Sequence, residues 1–414
     1  MLKVYRILIF IVFLASPLIL FFRVLKGKED PKRFKEKLGF FSKKKLQGKL
    51  IWFHGSSVGE IMSVIPLLEK LEKKREIRQI LVTSNTFSSS KVLKKFRLKK
   101  TIHQFFPIDK KNIIVNFLDY WKPNAVFFIE SEIWPNTIFE IKKKQIPLIL
   151  LNARITKKTY YKWKTFLRLS EKIFCKFDEC LIQNEETGKY LKSLGSKNIS
   201  KPGNLKFSNF DIGKINNLNY KTRKFINSKV VIFGGISTHE GEEEFCAKLY
   251  LSLGKSISNS LIILIPRHVN RANDIVDIMK NYNLKVHKHS SKKSIKKDTK
   301  IYLVDTFGEV RSFMKYFKVA ILGGSIIPHG GQNPLEAARA GCKVLHGPNI
   351  SNFREVYSIL NKYKITEEIY GVEKTVLKIK KILKKKKTNY YSSKLNSIGE
   401  TVLYRNLLKI DKYV

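Results

Sequence analysis

Short, mostly apolar runs rich in β-branched and aromatic side chains recur along the chain from Leu50 onward. Leu50–His54, Gln79–Ser84, Ala125–Glu130, Pro147–Asn152 and Glu179–Gln183 do not alternate apolar with polar residues. They predict strands buried on both faces, as in a parallel sheet covered by helices. Between the first two, Ile61, Val64, Ile65, Leu68 and Leu71 share one face of a helix over Glu60–Lys74. The stretch Ser208–Ser228 is polar, has no period and is expected to be a linker. The alternation then restarts with strands at Val230–Phe233, Leu261–Pro266, Lys300–Val304, Val319–Leu322 and Lys343–His346. Helical patterns over Val372–Lys387 and Ser397–Lys412 close the chain. The pattern predicts two consecutive doubly wound α/β domains, 26–207 and 229–414, with the last helix returning to the first domain. A cleft between two such sheets is the expected place for ligands, beyond the carboxyl ends of the strands.

One run differs from all of these. Ile7–Phe22 carries no charge, and is flanked by Lys3 and Arg6 before it and by Arg23, Lys26 and Lys28 after it. It is slightly short of the ~20 residues a spanning helix needs, and Pro17 interrupts it. Basic residues directly after the run and a poor cleavage site disfavour an exported signal peptide. Residues 1–25 are expected to be an uncleaved anchor, spanning the membrane or lying in its interface, with the rest of the chain cytoplasmic.

Composition adds two constraints. Of the 414 residues 43% are hydrophobic, which excludes a disordered polyelectrolyte despite the formal charge of +46. That charge points to an anionic partner (nucleic acid, anionic lipid or a phosphorylated substrate) or to lysines spread on solvated faces. The four cysteines form no C-x-x-C pair, and no H-E-x-x-H or aspartate-rich cluster appears, so neither disulfides nor a metal are expected.

Candidate chemistry gathers just after the predicted strands. In His54–Glu60 the glycines suit a tight turn; Glu60 serves either a helix N-terminus or a general base. In Glu130–Asn136, Glu130 ends an apolar strand, where a carboxylate is costly without a partner. Arg154 ends the next strand and is a candidate partner. Lys206, in Gly203–Phe207, is either a surface lysine or a mobile charge for a departing phosphate. Gly234–Glu244 looks like a glycine turn with an acidic helix start. Arg267 suits a phosphate, and Gly308 allows close backbone approach. The most specific string is Gly323–Ala338: strand, glycine-rich turn, helix. Backbone N–H groups at that helix start suit a phosphate or carboxylate, and Glu336 suits ribose hydroxyls. It is neither the dinucleotide fingerprint nor a P-loop.

Taken in order, HGSSVGE, ESEIWPN, NARIT, GNLKF, STHEGEEE, PRH, DTFGE, GGSIIPHGGQNPLEAA and HGPNISNFRE resemble the 3-deoxy-D-manno-octulosonic acid (Kdo) transferases of Gram-negative bacteria. Ser131 and Gln332 are mild departures. The resemblance implies a GT-B glycosyltransferase fold of two Rossmann-like domains, the first for acceptor and the second for CMP-sugar, with no cofactor and no metal. It implies CMP-Kdo as donor and the lipid A precursor as acceptor, with inversion, at the cytoplasmic face of the inner membrane. Glu60 corresponds to the general base, and Glu130 and Lys206 to transition-state stabilisers. Pro266, Arg267, Phe307, Gly308, Glu309, Asn333, Pro334, Leu335 and Glu336 correspond to CMP contacts. The anionic membrane surface is an expected partner and nucleic acid is not. The rival readings are a GT-B transferase with a UDP donor, a nucleotide-sugar epimerase of the same architecture, and a basic nucleic-acid-binding protein. The last lacks any RNP-type motif.

Overall fold

A computed structural model describes residues 2–208, 217–254, 256–385 and 389–414. The chain forms two compact units, 1–213 with 396–414, and 214–395.

In the first unit the strands are β1 (Lys49–His54), β2 (Ile77–Ser84), β3 (Thr101–Phe105), β4 (Ala125–Ile129), β5 (Leu148–Ala153), β6 (Glu179–Ile182) and β7 (Ile199–Ser200). They make one parallel sheet in the order β3-β2-β1-β4-β5-β6-β7. Non-alternating sequence here means two buried faces. Trp52, Phe128 and Leu150 belong to one apolar layer, while their strand neighbours Phe53, Phe127 and Ile149 belong to the other. The second layer also takes Val402, Leu403 and Ile410 from the last helix, Tyr390–Ile410.

In the second unit the strands are β8 (Val230–Thr238), β9 (Ser260–Pro266), β10 (Val286–Lys288), β11 (Ile301–Leu303), β12 (Val319–Leu322), β13 (Lys343–His346) and β14 (Thr366–Glu368). They are again parallel, in the order β10-β11-β9-β8-β12-β13-β14. Each sheet therefore reverses its winding once, between β1 and β4 in the first and between β8 and β12 in the second. At such a switch point the two flanking strands send their connections to opposite faces, which opens a crevice at the carboxyl ends.

Three features depart from the sequence reading. Strands β3, β7, β10 and β14 carried no strong apolar signal. Gly234 and Gly235 lie inside β8 rather than in a turn, because the Phe317 ring packs there; a Cβ on Gly234 would come within 2.4 Å of it. The expected linker contains a helix, Tyr220–Asn227, capped by Asn219, whose side chain accepts from Thr222 N; residues 209–216 of that stretch lie outside the described residues. The helix expected over Val372–Lys387 runs from Val372 to Leu383, and 386–387 are likewise outside.

Candidate functional site

The first switch point carries three acids. Glu60 sits in the first turn of the helix Val58–Leu71, after β1. Ser57 caps that helix, its Oγ accepting from Glu60 N at 3.3 Å and donating to Glu60 Oε1 at 2.7 Å, while Ser56 N donates to Oε2 at 2.7 Å. The capping role and a fixed carboxylate are thus the same arrangement. Burial, followed by the charges of Glu132 and Glu130, raises Glu60 to about 7 against the opposing hydrogen bonds from Ser57 and Ser56. Glu132 goes the other way. Burial pushes it up, but hydrogen bonds from His54, Ser56 and Trp134 leave it below the usual carboxylate range. His54 Nε2 lies 3.0 Å from Glu132 Oε2, Trp134 Nε1 donates to the same oxygen at 2.8 Å, and the buried imidazole stacks on Phe106. Two neighbouring carboxylates pushed apart in this way separate a proton acceptor near neutrality from a permanently ionised group.

Glu130 ends β4 with φ of +58°, a left-handed conformation that costs a non-glycine residue about 1–2 kcal/mol. Two backbone bonds hold it there: Glu130 N donates to Leu151 O at 2.9 Å, and Arg154 N donates to Glu130 O at 3.2 Å. Its carboxylate meets Lys206 Nζ at 2.5 Å. This is a close charge contact without a donor well aligned on Glu130 Oε1. Lys206 is delivered by the short turn Leu205–Ser208, which two asparagines fix. Asn152 Oδ1 accepts from Leu205 N and Asn204 Oδ1 from Lys206 N, both at 2.9 Å. Glu130 and Lys206, predicted from separate motifs, therefore stand together. His54, Glu132, Asn152 and Asn204 were not singled out in the sequence; only their presence inside the same strings signalled them.

The second switch point carries the glycine-rich string. Gly323 passes so close to β8 that a Cβ would lie 2.0 Å from Ser237 O, and Gly324 has φ of +66°. That approach lets Glu242, 1% exposed, reach into the turn. Its Oε2 accepts from Gly324 N at 2.7 Å and His239 N at 3.0 Å, and its Oε1 from Ile326 N at 3.1 Å and Ser325 N at 3.2 Å. The N–H groups in this first part of the turn are thus filled by the chain's own carboxylate. Replacing Glu242 by Ala strands four backbone donors, three of them buried, and is expected to cost roughly 3 kcal/mol or more of stability. Urea unfolding of the full chain checks this, and a native midpoint in the variant would remove Glu242 from that role.

The remaining predicted residues spread along the same carboxyl edge. Pro266 ends β9 and Arg267 is exposed beyond it, its N–H donating to Thr238 O at 3.0 Å. Phe307 is 82% exposed and Gly308 has φ of +88°. Glu309 accepts from Thr306 Oγ1 at 2.6 Å and lies 2.8 Å from His289 Nε2. Asn333 Oδ1 accepts from Leu335 N at 3.1 Å, opening the helix Leu335–Arg339 behind Pro334. The Leu335 side chain is buried, so only its backbone can meet a ligand. Glu336 lies 3.2 Å from Arg311 Nη2.

A family model described as 3-Deoxy-D-manno-octulosonic-acid transferase (kdotransferase) matches residues 32–209. A 3-deoxy-D-manno-octulosonic acid transferase of Rickettsia bellii is 32% identical over 99% of this chain and 98% of its own length. The chain belongs to the Kdo transferase family. A probable mitochondrial Kdo transferase of Arabidopsis thaliana is also 32% identical, over 87% of this chain and 83% of that one. Membership makes the chain a glycosyltransferase of the Kdo-transferase type. Among solved structures, a putative UDP-N-acetylglucosamine 2-epimerase from Listeria monocytogenes aligns with a TM-score of 0.60, at 14% identity, over 88% of this chain and 96% of that chain. The UDP-GlcNAc 2-epimerase of Neisseria meningitidis gives 0.58 at 15% identity, over 87% and 100%. At such identity these likenesses show the fold alone: a GT-B-like pair of parallel α/β units. This Kdo transferase family member also carries the apolar N-terminal helix Leu2–Leu25.

Proposed function

We propose that this family member moves Kdo from CMP-Kdo to a hydroxyl of the lipid A precursor, with inversion, in lipopolysaccharide inner-core synthesis. The observation that carries this reading is the carboxylate of Glu60, fixed by Ser56 and Ser57 and raised to about 7 beside acids that stay paired. A general base works best when it titrates near the operating pH. Glu60 takes the proton of the acceptor hydroxyl as its oxygen forms a bond to the anomeric carbon. The bond from that carbon to the phosphate oxygen breaks on the opposite face, and CMP leaves with the electron pair. A single displacement of this kind inverts the centre. Lys206, held on Glu130, supplies positive charge to the departing phosphate. In the second unit Arg267 binds phosphate, Phe307–Glu309 and Asn333–Glu336 contact the nucleotide, and Glu242 holds the glycine-rich turn open for it. The apolar helix keeps the enzyme on the inner membrane, at the cytoplasmic face, where its lipid substrate resides.

The test is incubation of the full chain with CMP-Kdo and lipid A precursor, with products separated by mass. Kdo addition together with binding of CMP, and no binding of UDP, is the expected result. Transfer from a UDP-sugar instead, or no transfer with either donor, would overturn the assignment.

A further inference from the structure

The helix Leu2–Leu25 has a mean hydropathy of 2.6 over its most apolar window, and little of that window is covered. One stripe of it is nevertheless tied to the first unit along its length. Tyr5 Oη donates to Asp109 Oδ2 at 2.6 Å, and Arg6 Nε donates to Asn136 Oδ1 at 3.0 Å. Midway, Lys110 Nζ sits 3.9 Å from the centre of the Phe13 ring and 5.3 Å from that of Phe10. Ser16 and Leu20 are buried. At the far end Arg23 and Lys37 both meet Glu29 at 2.7 Å, and Lys37 also donates to Asn85 O at 2.8 Å. The steps from Arg6 through Phe13, Ser16 and Leu20 to Arg23 are about seven, three, four and three residues, each a sum of threes and fours that stays on one face of a helix.

Both ends of the helix therefore touch one folded unit. At 1.5 Å per residue, Tyr5 and Arg23 stand about 27 Å apart, close to the thickness of a bilayer's hydrocarbon core. A helix that crosses a bilayer must hold its ends on opposite sides of that core, and only one end can then reach the catalytic unit. The charges agree. Lys3 and Arg6 lie before the apolar run, and Arg23, Lys26 and Lys28 after it. A spanning helix puts one of these groups on the far side, against the excess of Lys and Arg found at cytoplasmic faces. A helix lying flat puts both against anionic headgroups on one side. The bare face is made of side chains such as Leu8, Ile11, Leu14, Leu18, Phe21 and Phe22, each between 52% and 63% exposed.

We propose that this helix lies in the plane of one leaflet, its tied stripe on the catalytic unit and its bare face in the acyl chains, and does not cross the membrane. The inference rests on the membrane reading given above. It also orients the enzyme. Asp109 follows β3 and Asn136 follows β4, so the helix runs along the carboxyl edge of the first sheet, where Glu60 and Glu130 stand. Asp109 further accepts from Asn136 N at 2.9 Å and Thr137 N at 2.8 Å, fixing the helix Pro135–Lys143 just after the Glu130–Trp134 segment. The leaflet that takes the helix is then the leaflet that presents the lipid acceptor to that edge.

The experiment uses the full chain in bacterial membranes, with Cys175→Ser as background, since the other three cysteines are buried. Lys3→Cys and Lys28→Cys are each treated with a membrane-impermeant maleimide in spheroplasts and in inverted vesicles. Labelling of both in inverted vesicles, and of neither in spheroplasts, is expected. Labelling of Lys3→Cys only in spheroplasts would show a crossing helix and overturn the proposal. Separately, the pair Arg6→Cys and Asn136→Cys is treated with a short bismaleimide; the Tyr5–Asp109 contact remains in this variant. A cross-link is expected, and its absence, with both thiols reactive after denaturation, would also overturn the proposal. Recovery of the full chain in the soluble fraction would remove the membrane reading itself, an outcome distinct from either.

Discussion

Glu60→Ala should lower kcat/KM for Kdo transfer by on the order of 10²–10⁴-fold, the range that general-base assistance contributes, while CMP binding is unchanged. The separation follows from position. Glu60 belongs to the first unit, whereas Arg267, Phe307–Glu309 and Asn333–Glu336, the residues assigned to binding CMP, belong to the second. Ser57 still caps the helix through the backbone N–H of residue 60, and the lost contacts to Ser56 N and Ser57 Oγ cost about 1–3 kcal/mol, so the variant folds. Glu60→Gln is the sharper control, because its amide oxygen can still accept from Ser56 or Ser57 but cannot take a proton. Both variants are expected to fall together. The native enzyme adds a second readout. Its base must be ionised, so kcat/KM should rise with pH through about 7 and level off above it. The same limb should vanish from whatever activity Glu60→Gln retains. Near-native transfer by Glu60→Gln, or an unchanged acidic limb, would assign the proton to another group.

The fold class was legible because parallel strands buried on both faces have no polar positions to hide them. The strands that escaped, β3, β7, β10 and β14, are the four sheet edges. Edge strands are short and polar because one side of each must avoid pairing with another chain, so Val286–Lys288 and Thr366–Glu368 look like loops. Strand order was not legible either. Alternation of strand and helix is the same for any winding, and only the paired structure puts Glu60 and Glu130 on the two sides of one switch point. The site was read better as strings than as geometry. Glu130 and Lys206 lie far apart in sequence, and their contact depends on Asn152 and Asn204, whose amides bind backbone and carry no pattern of their own. Glu242 misled for a related reason. An acidic residue in the first turn of a helix looks like ordinary capping, and nothing local reveals that its carboxylate fills the glycine-rich turn some 80 residues on.

Lys206→Ala should lower kcat by on the order of 10²–10³-fold, as loss of one preorganised stabilising group does, with a smaller effect on donor affinity. A structural salt bridge predicts a different pattern, and the acids around Lys206 make the two separable. Removing the ammonium leaves Glu130 as an uncompensated charge, and Glu130 already contributes to the upward shift of Glu60. The acidic limb of the pH profile should therefore move to higher pH in Lys206→Ala. Adding Glu130→Gln removes that charge, so the limb should return toward or below its native position. Turnover should not return, because the departing phosphate still lacks its cation. Recovery of native kcat in the double variant would mean that Lys206 acts only to neutralise Glu130. A limb that moves back while kcat stays well below that of Glu130→Gln alone places the lysine on the leaving group. Lys206→Arg is intermediate: the charge remains, but a planar guanidinium replaces a compact ammonium beside Glu130, so part of the turnover and all of the native pH profile should be kept.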